Sequence, residues 1–161
     1  MTEVLMNTTV DIEQLQKEAD ETFHSGFTCA ETVIYTINKA FDLGMPESAI
    51  AMSSGFPWGL GGGGCICGGL AGATMCIGYL YGRTTPGDPK INRCFELTHE
   101  LHDAFKSANG GTCCRVLTRG MEKNSPERKA NCASIVYNTI EMTAKLLMRE
   151  LERDKEASFN E

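Results

Sequence analysis

Apolar residues recur along this chain at helical spacing, and no stretch alternates between apolar and polar in the manner of a strand. Ile12, Leu15, Ala19 and Phe23 form one face of a first helix, opened by Asp11 with Gln14 three residues on. "HSGF" breaks it. Thr28 and Glu31 have capping-box spacing before a second helix, whose apolar face is Val33, Ile34, Ile37 and Phe41 and whose stop is Gly44. Pro46 opens a shorter helix to about Ser53. A loop, "SGFPWGLGGGG", leads to a fourth helix that starts near Cys65 or Cys67 and ends at Gly82. After the turn-rich "RTTPGDP", a fifth helix runs from about Lys90 to Ala108. "TCCRVL" is short, with Thr112 as its N-cap candidate. Ser125-Pro126-Glu127 starts a last long helix.

The pattern predicts an all-α single domain, a bundle of about five to seven helices around a central, glycine-rich, buried helix. Residues 1–10 read as an N-terminal extension, 11–150 as the domain and 151–161 as a charged tail that frays after Arg149. The stretch from Ser48 to Gly82 carries a membrane span's length without charge, but it is rich in glycine and poor in Leu, Ile and Val. A buried helix fits it better, so no membrane insertion is expected.

Formal net charge is -6, and the basic residues form no stripe in the sequence, which argues against nucleic acid as a partner. "MTEVLMNTTVDIEQ" has neither the basic nor the apolar region of a signal peptide, so a cytoplasmic location is expected. Thiols stay reduced there, and the eight cysteines then read as ligands, reactive thiols or buried packing residues before they read as a disulfide scaffold.

Their positions are informative. Cys29 follows an N-cap, Cys65 and Cys67 end the glycine run and open a helix, and Cys113 and Cys114 follow Thr112 in the same way. Helix starts favour a thiolate, so Cys29 and Cys67 are expected to be more acidic than an ordinary thiol. Cys132 lies inside the last helix in register with Val136, Ile140 and Leu147; it is either a small core residue or a fourth sulfur facing the others. Cys76 and Cys94 read as packing residues. The run Gly61, Gly62, Gly63, Gly64, with Gly68 beyond it, can approach a bulky centre and offer N–H groups to its sulfurs; the plainer alternative is a flexible loop.

Three other motifs fall away. Gly59, Gly61 and Gly64 match G-x-G-x-x-G, but no strand precedes them. No Gly-Lys-Ser/Thr follows for a phosphate-binding loop of the Walker type. Glu96, His99, His102 and Asp103 share a region of the fifth helix, yet "HELH" is one residue short of a zincin motif, and a di-iron site needs a second Glu-x-x-His. A solvated helix face is the simpler account.

Taken together, the cysteines resemble those of the redox-active C_GCAxxG_C_C family of small helical proteins. The first element stands as Ala19, Phe23, Gly26, Phe27, Cys29 and Ala30; the second as "CGGLAG", Cys67 to Gly72, followed by "GYLYGR"; the third as "CRVL", which selects Cys114 over Cys113; the fourth as Cys132. Gly69 stands where the family pattern has Ala. The resemblance spans Ala19 to Leu147 and implies a redox role, though no particular reaction. Similar domains occur beside haem domains, but there is no C-x-x-C-H here for covalent haem. The leading reading is electron transfer through an iron–sulfur cluster held by Cys29, Cys67, Cys114 and Cys132, with Cys65 and Cys113 as further candidate ligands. The alternatives are the same four cysteines as catalytic redox thiols without metal, and a structural zinc site. A redox partner protein is implied. The small residues of "GLAG" allow close helix packing, within the chain or in a homodimer.

Overall fold

The computed structural model describes residues 6–160, and no strand occurs among them. Six helices carry the architecture: α1 (Ile12–His24), α2 (Cys29–Phe41), α3 (Glu47–Ser53), α5 (Gly68–Tyr81), α6 (Lys90–Asn109) and α8 (Pro126–Phe159). Two single turns, α4 (Pro57–Leu60) and α7 (Cys114–Leu117), sit in the connections. The all-α single domain expected from the pattern is the fold observed.

The helix starts follow local chemistry. Asp11 caps α1, its carboxylate accepting from the Gln14 N–H at 2.7 Å. Glu31 closes the start of α2 by accepting from both the N–H and the hydroxyl of Thr28. Ser125 accepts from the Arg128 N–H, with Pro126 at the first position of α8.

α5 is the centre. Its residues from Gly68 to Ala73, with Cys76, Ile77 and Tyr81, are buried, and it packs against α2, α6 and α8. Small residues make the α2 contact possible. A Cβ at Gly72 would lie 2.7 Å from the Ala30 carbonyl oxygen, so the helix backbones meet directly there. The small face of "GLAG" is thus used inside the molecule. Around it, Leu15, Ile34, Ile37, Phe41, Leu97, Leu101, Phe105, Ile140 and Leu147 fill the core. No described helix is long and apolar enough to cross a membrane.

Three expectations need correction. "SGFPWGLGGGG" is not all loop, since Pro57–Leu60 closes a helical turn before Gly61. Cys113, not Thr112, occupies the N-cap of α7. The tail does not fray after Arg149, because α8 continues to Phe159. Its continuation is anchored from the side. Glu150 is 2% exposed and accepts from Arg93 on α6 and from Arg149. Burial works to raise its carboxyl pKa, but those two guanidiniums outweigh it and hold the group below its ordinary 4.5. One turn on, Asp154 accepts from the Tyr81 hydroxyl at 3.0 Å.

The N-terminal extension is described from Met6 only; the rest of 1–10, and Glu161 of the tail, lie outside the described residues. Its visible part docks back on α2, with the Asn7 N–H donating to the Phe41 carbonyl at 2.9 Å.

Candidate redox site

Four cysteines from four elements line one open cavity of about 1100 Å³. Cys29 is the first residue of α2, Cys67 the N-cap of α5, Cys114 the first residue of α7, and Cys132 lies in the second turn of α8. Three sit at helix starts and the fourth one turn further in, which is why residues distant in sequence can meet at one end of the bundle. The cavity wall is mainly apolar, with Phe23, Phe27, Pro57 and Trp58 among its residues. Gly68 is part of the packing. A Cβ there would collide with the Cys29 sulfur, so only glycine lets α5 begin against that thiol.

The electrostatics reverse the sequence expectation. Cys29 and Cys67 are not acidified. Burial pushes the Cys29 thiol up to about 12, helped by the neighbouring Cys67, and outweighs the Ala30 N–H that works the other way. Burial also raises Cys67, against backbone N–H groups of Leu70 and Gly69. Cys132 is raised by burial first and then by Cys114 and Cys67. The dipole at a helix start is a partial charge, whereas burying a thiolate away from water costs more. The sulfurs are also close enough that negative charge on one disfavours it on the next. A cation reaches them: Arg128 directs Nη2 at the Cys114 sulfur, 3.7 Å away.

Cys65 and Cys113 are placed differently. They form a disulfide, with Cα atoms 4.4 Å apart, and neither lines the cavity. The expectation of free thiols throughout is corrected for this pair, as is their reading as further ligands, since a disulfide offers no thiolate. Two backbone hydrogen bonds hold their loops side by side, Cys67 N–H to the Thr112 carbonyl and Arg115 N–H to the Gly64 carbonyl, at 2.8 and 2.9 Å.

The glycine run is not a wall of the cysteine cavity either. Three of its four N–H groups are turned back onto their own loop: Gly61 donates to Pro57, Gly63 to Leu60 and Gly64 to Gly59. Gly62, Gly63 and Gly64 instead border a second, smaller cavity on the other side of Trp58. Of the glycines proposed to meet a cofactor, Gly68 alone lines the cysteine cavity.

Cys76 is fully buried in the core and Cys94 half-buried, as packing residues. His99 and Asp103 stand exposed and His102 half-buried, Asp103 in contact with both histidines, as on a solvated face. Among the described residues, no three His, Cys, Asp or Glu side chains stand close enough to hold a single metal ion. Sequence reasoning missed Trp58 and Arg128, which line both cavities. Arg128 had a signal: it lies four residues before Cys132, one turn away on the same helix face.

The family profile described as "Putative redox-active protein (C_GCAxxG_C_C)" matches residues 27–146, so the chain belongs to that redox-active family. The match begins after Ala19, Phe23 and Gly26, and it includes all four cysteines of the cavity. A protein of Archaeoglobus fulgidus named "Uncharacterized protein" is 24% identical over 141 residues, covering 83% of this chain and 93% of that one. No solved structure matches the chain significantly.

Proposed function

We propose that this protein is an electron carrier in which Cys29, Cys67, Cys114 and Cys132 hold an iron–sulfur cluster. The observation that supports this is the meeting of four thiols, three at helix starts and one in the second turn of α8, on one largely apolar cavity. Four thiolates are the donor set such clusters take, and a cluster with several irons would spread the four sulfurs over more than one metal ion. A single zinc ion would need them to converge on it. When bound, the cluster supplies one-electron transfer. The chain does the rest. Burial disfavours bare thiolates at Cys29, Cys67 and Cys132, and a cationic centre among them would relieve that cost. Phe23, Phe27 and Trp58 limit water around the sulfurs, and Arg128 offsets charge at Cys114.

Protein purified without oxygen is expected to be brown, with iron and sulfide bound together. Single Cys→Ser changes at the four positions each lower bound iron, whereas Cys94→Ser does not. Colourless protein without iron under those conditions would end this reading.

The Cys65–Cys113 bond favours a second reading, thiol–disulfide exchange without metal. Cys65 is exposed and within reach of an external dithiol. One external thiolate attacks a sulfur of the bond, and the other sulfur leaves and takes a proton. The second external thiol then resolves the mixed disulfide, so two electrons and two protons enter the chain and the external dithiol departs as a disulfide. Colourless, metal-free protein whose thiols are lost in pairs on oxidation is the result this reading requires.

A further inference from the structure

Beside the cysteine cavity lies a second one, about 490 Å³, with walls of another kind. Arg115, Arg119, Lys123 and Arg128 line it, and no Asp or Glu among the described residues does. None of the four takes part in an ion pair among the described residues, although Arg93, Lys145, Arg149 and Arg153 are all paired. Glu122 and Glu127, neighbours in sequence, are exposed and pair with none of the four. In a chain of net charge -6 this is a local inversion of sign. Cations held around one hollow repel each other and raise the potential inside it, which concentrates anions there.

The cations are also held in place. Lys123 Nζ and Arg128 Cζ lie 5.1 and 5.0 Å from the centre of the Trp58 ring, at cation–π distance. Arg115 lies along Gly64, where a Cβ would come within 2.9 Å of its Nε, and donates from Nη2 to the Gly63 carbonyl at 2.8 Å. Among the described residues, the buried Arg128 Nε has no hydrogen-bond partner.

We propose that this cavity binds a small phosphate-bearing anion carrying at least two charges, with a diphosphate group as the best match. Guanidinium forks fit phosphate oxygens two at a time, and three arginines with a lysine outnumber what one carboxylate can satisfy. The hollow also exceeds the volume of one phosphate. The site stands whichever way the sulfurs work, but Arg128 joins the two cavities. An anion that draws Arg128 toward itself competes with the Cys114 sulfur for the same guanidinium.

Trp58 is the chain's single tryptophan, so its emission reports on this cavity without mutation. Titration of the whole protein with inorganic pyrophosphate at low ionic strength should give a saturable change in emission, and chloride at matched ionic strength should not. Arg115→Gln with Arg119→Gln should weaken binding at least about tenfold. Arg119→Gln alone, at an exposed position, should weaken it in a protein of unaltered helix content. Lys90→Gln, at an exposed position outside the cavity, should leave binding as it was. No saturable change, the same change with chloride, or equal weakening by Lys90→Gln would each overturn the proposal.

Discussion

The cysteines differ in depth more than in helix position, and depth sets their chemistry. Cys29 and Cys76 share a thiol pKa pushed from the ordinary 9.0 to about 12, although one starts a helix and the other sits in the middle of one. Both are raised by burial, so the folded chain holds their protons more tightly than the unfolded chain does. The stability this confers is full below about pH 9 and is lost as pH rises from there toward 12. Alkylation of reduced, metal-free protein, followed by mass spectrometry against pH, should find both thiols slow at neutral pH and faster only in that alkaline window. Neutral-pH reaction of Cys29 at the rate of an exposed thiol would contradict this. The position of Cys29 was legible in the sequence, because Thr28 and Glu31 mark the helix start. Its pKa was not, because much of its cover comes from residues distant in sequence such as Pro57 and Gly68.

Between elements, the most constrained contact is that of α2 with α5. Gly72→Ala sets a methyl against the backbone of Ala30, and neither helix can yield without parting the other from the core. A loss of about 1–3 kcal/mol is expected in chemical denaturation. Gly78→Ala, in the same helix with nothing within 4 Å of its added Cβ, should be neutral or stabilising by up to about 1 kcal/mol. Equal effects at the two positions would show that the loss belongs to helix propensity and not to the contact. Helix starts are written locally, in Asp11, Thr28, Ser125 and Pro126, and so could be read from the chain, whereas α2 stops at Phe41 with Asp42 as its left-handed cap and not at Gly44. The length of α8 could not, because its charged end is held by Arg93 and Tyr81 from other helices.

For the whole molecule, the long-range link that matters most is the Cys65–Cys113 bond, which joins positions 48 apart. The sequence could show two cysteine-bearing loops, but which sulfurs meet depends on how α5 and α6 bring those loops together. Loop closure on that scale is worth about 2–4 kcal/mol, mainly by restricting the unfolded chain. Urea unfolding of the paired variant Cys65→Ala with Cys113→Ala should show a loss of that order against the unreduced parent. An unchanged midpoint would mean the bond constrains little. The same bond makes the middle of the chain a covalent ring, holding α5 and α6 and carrying the exposed turn that begins at Arg83. A backbone cut after Arg83 would therefore separate nothing. The two pieces would stay tethered, new ends would appear at the surface, and only a reductant would let them part.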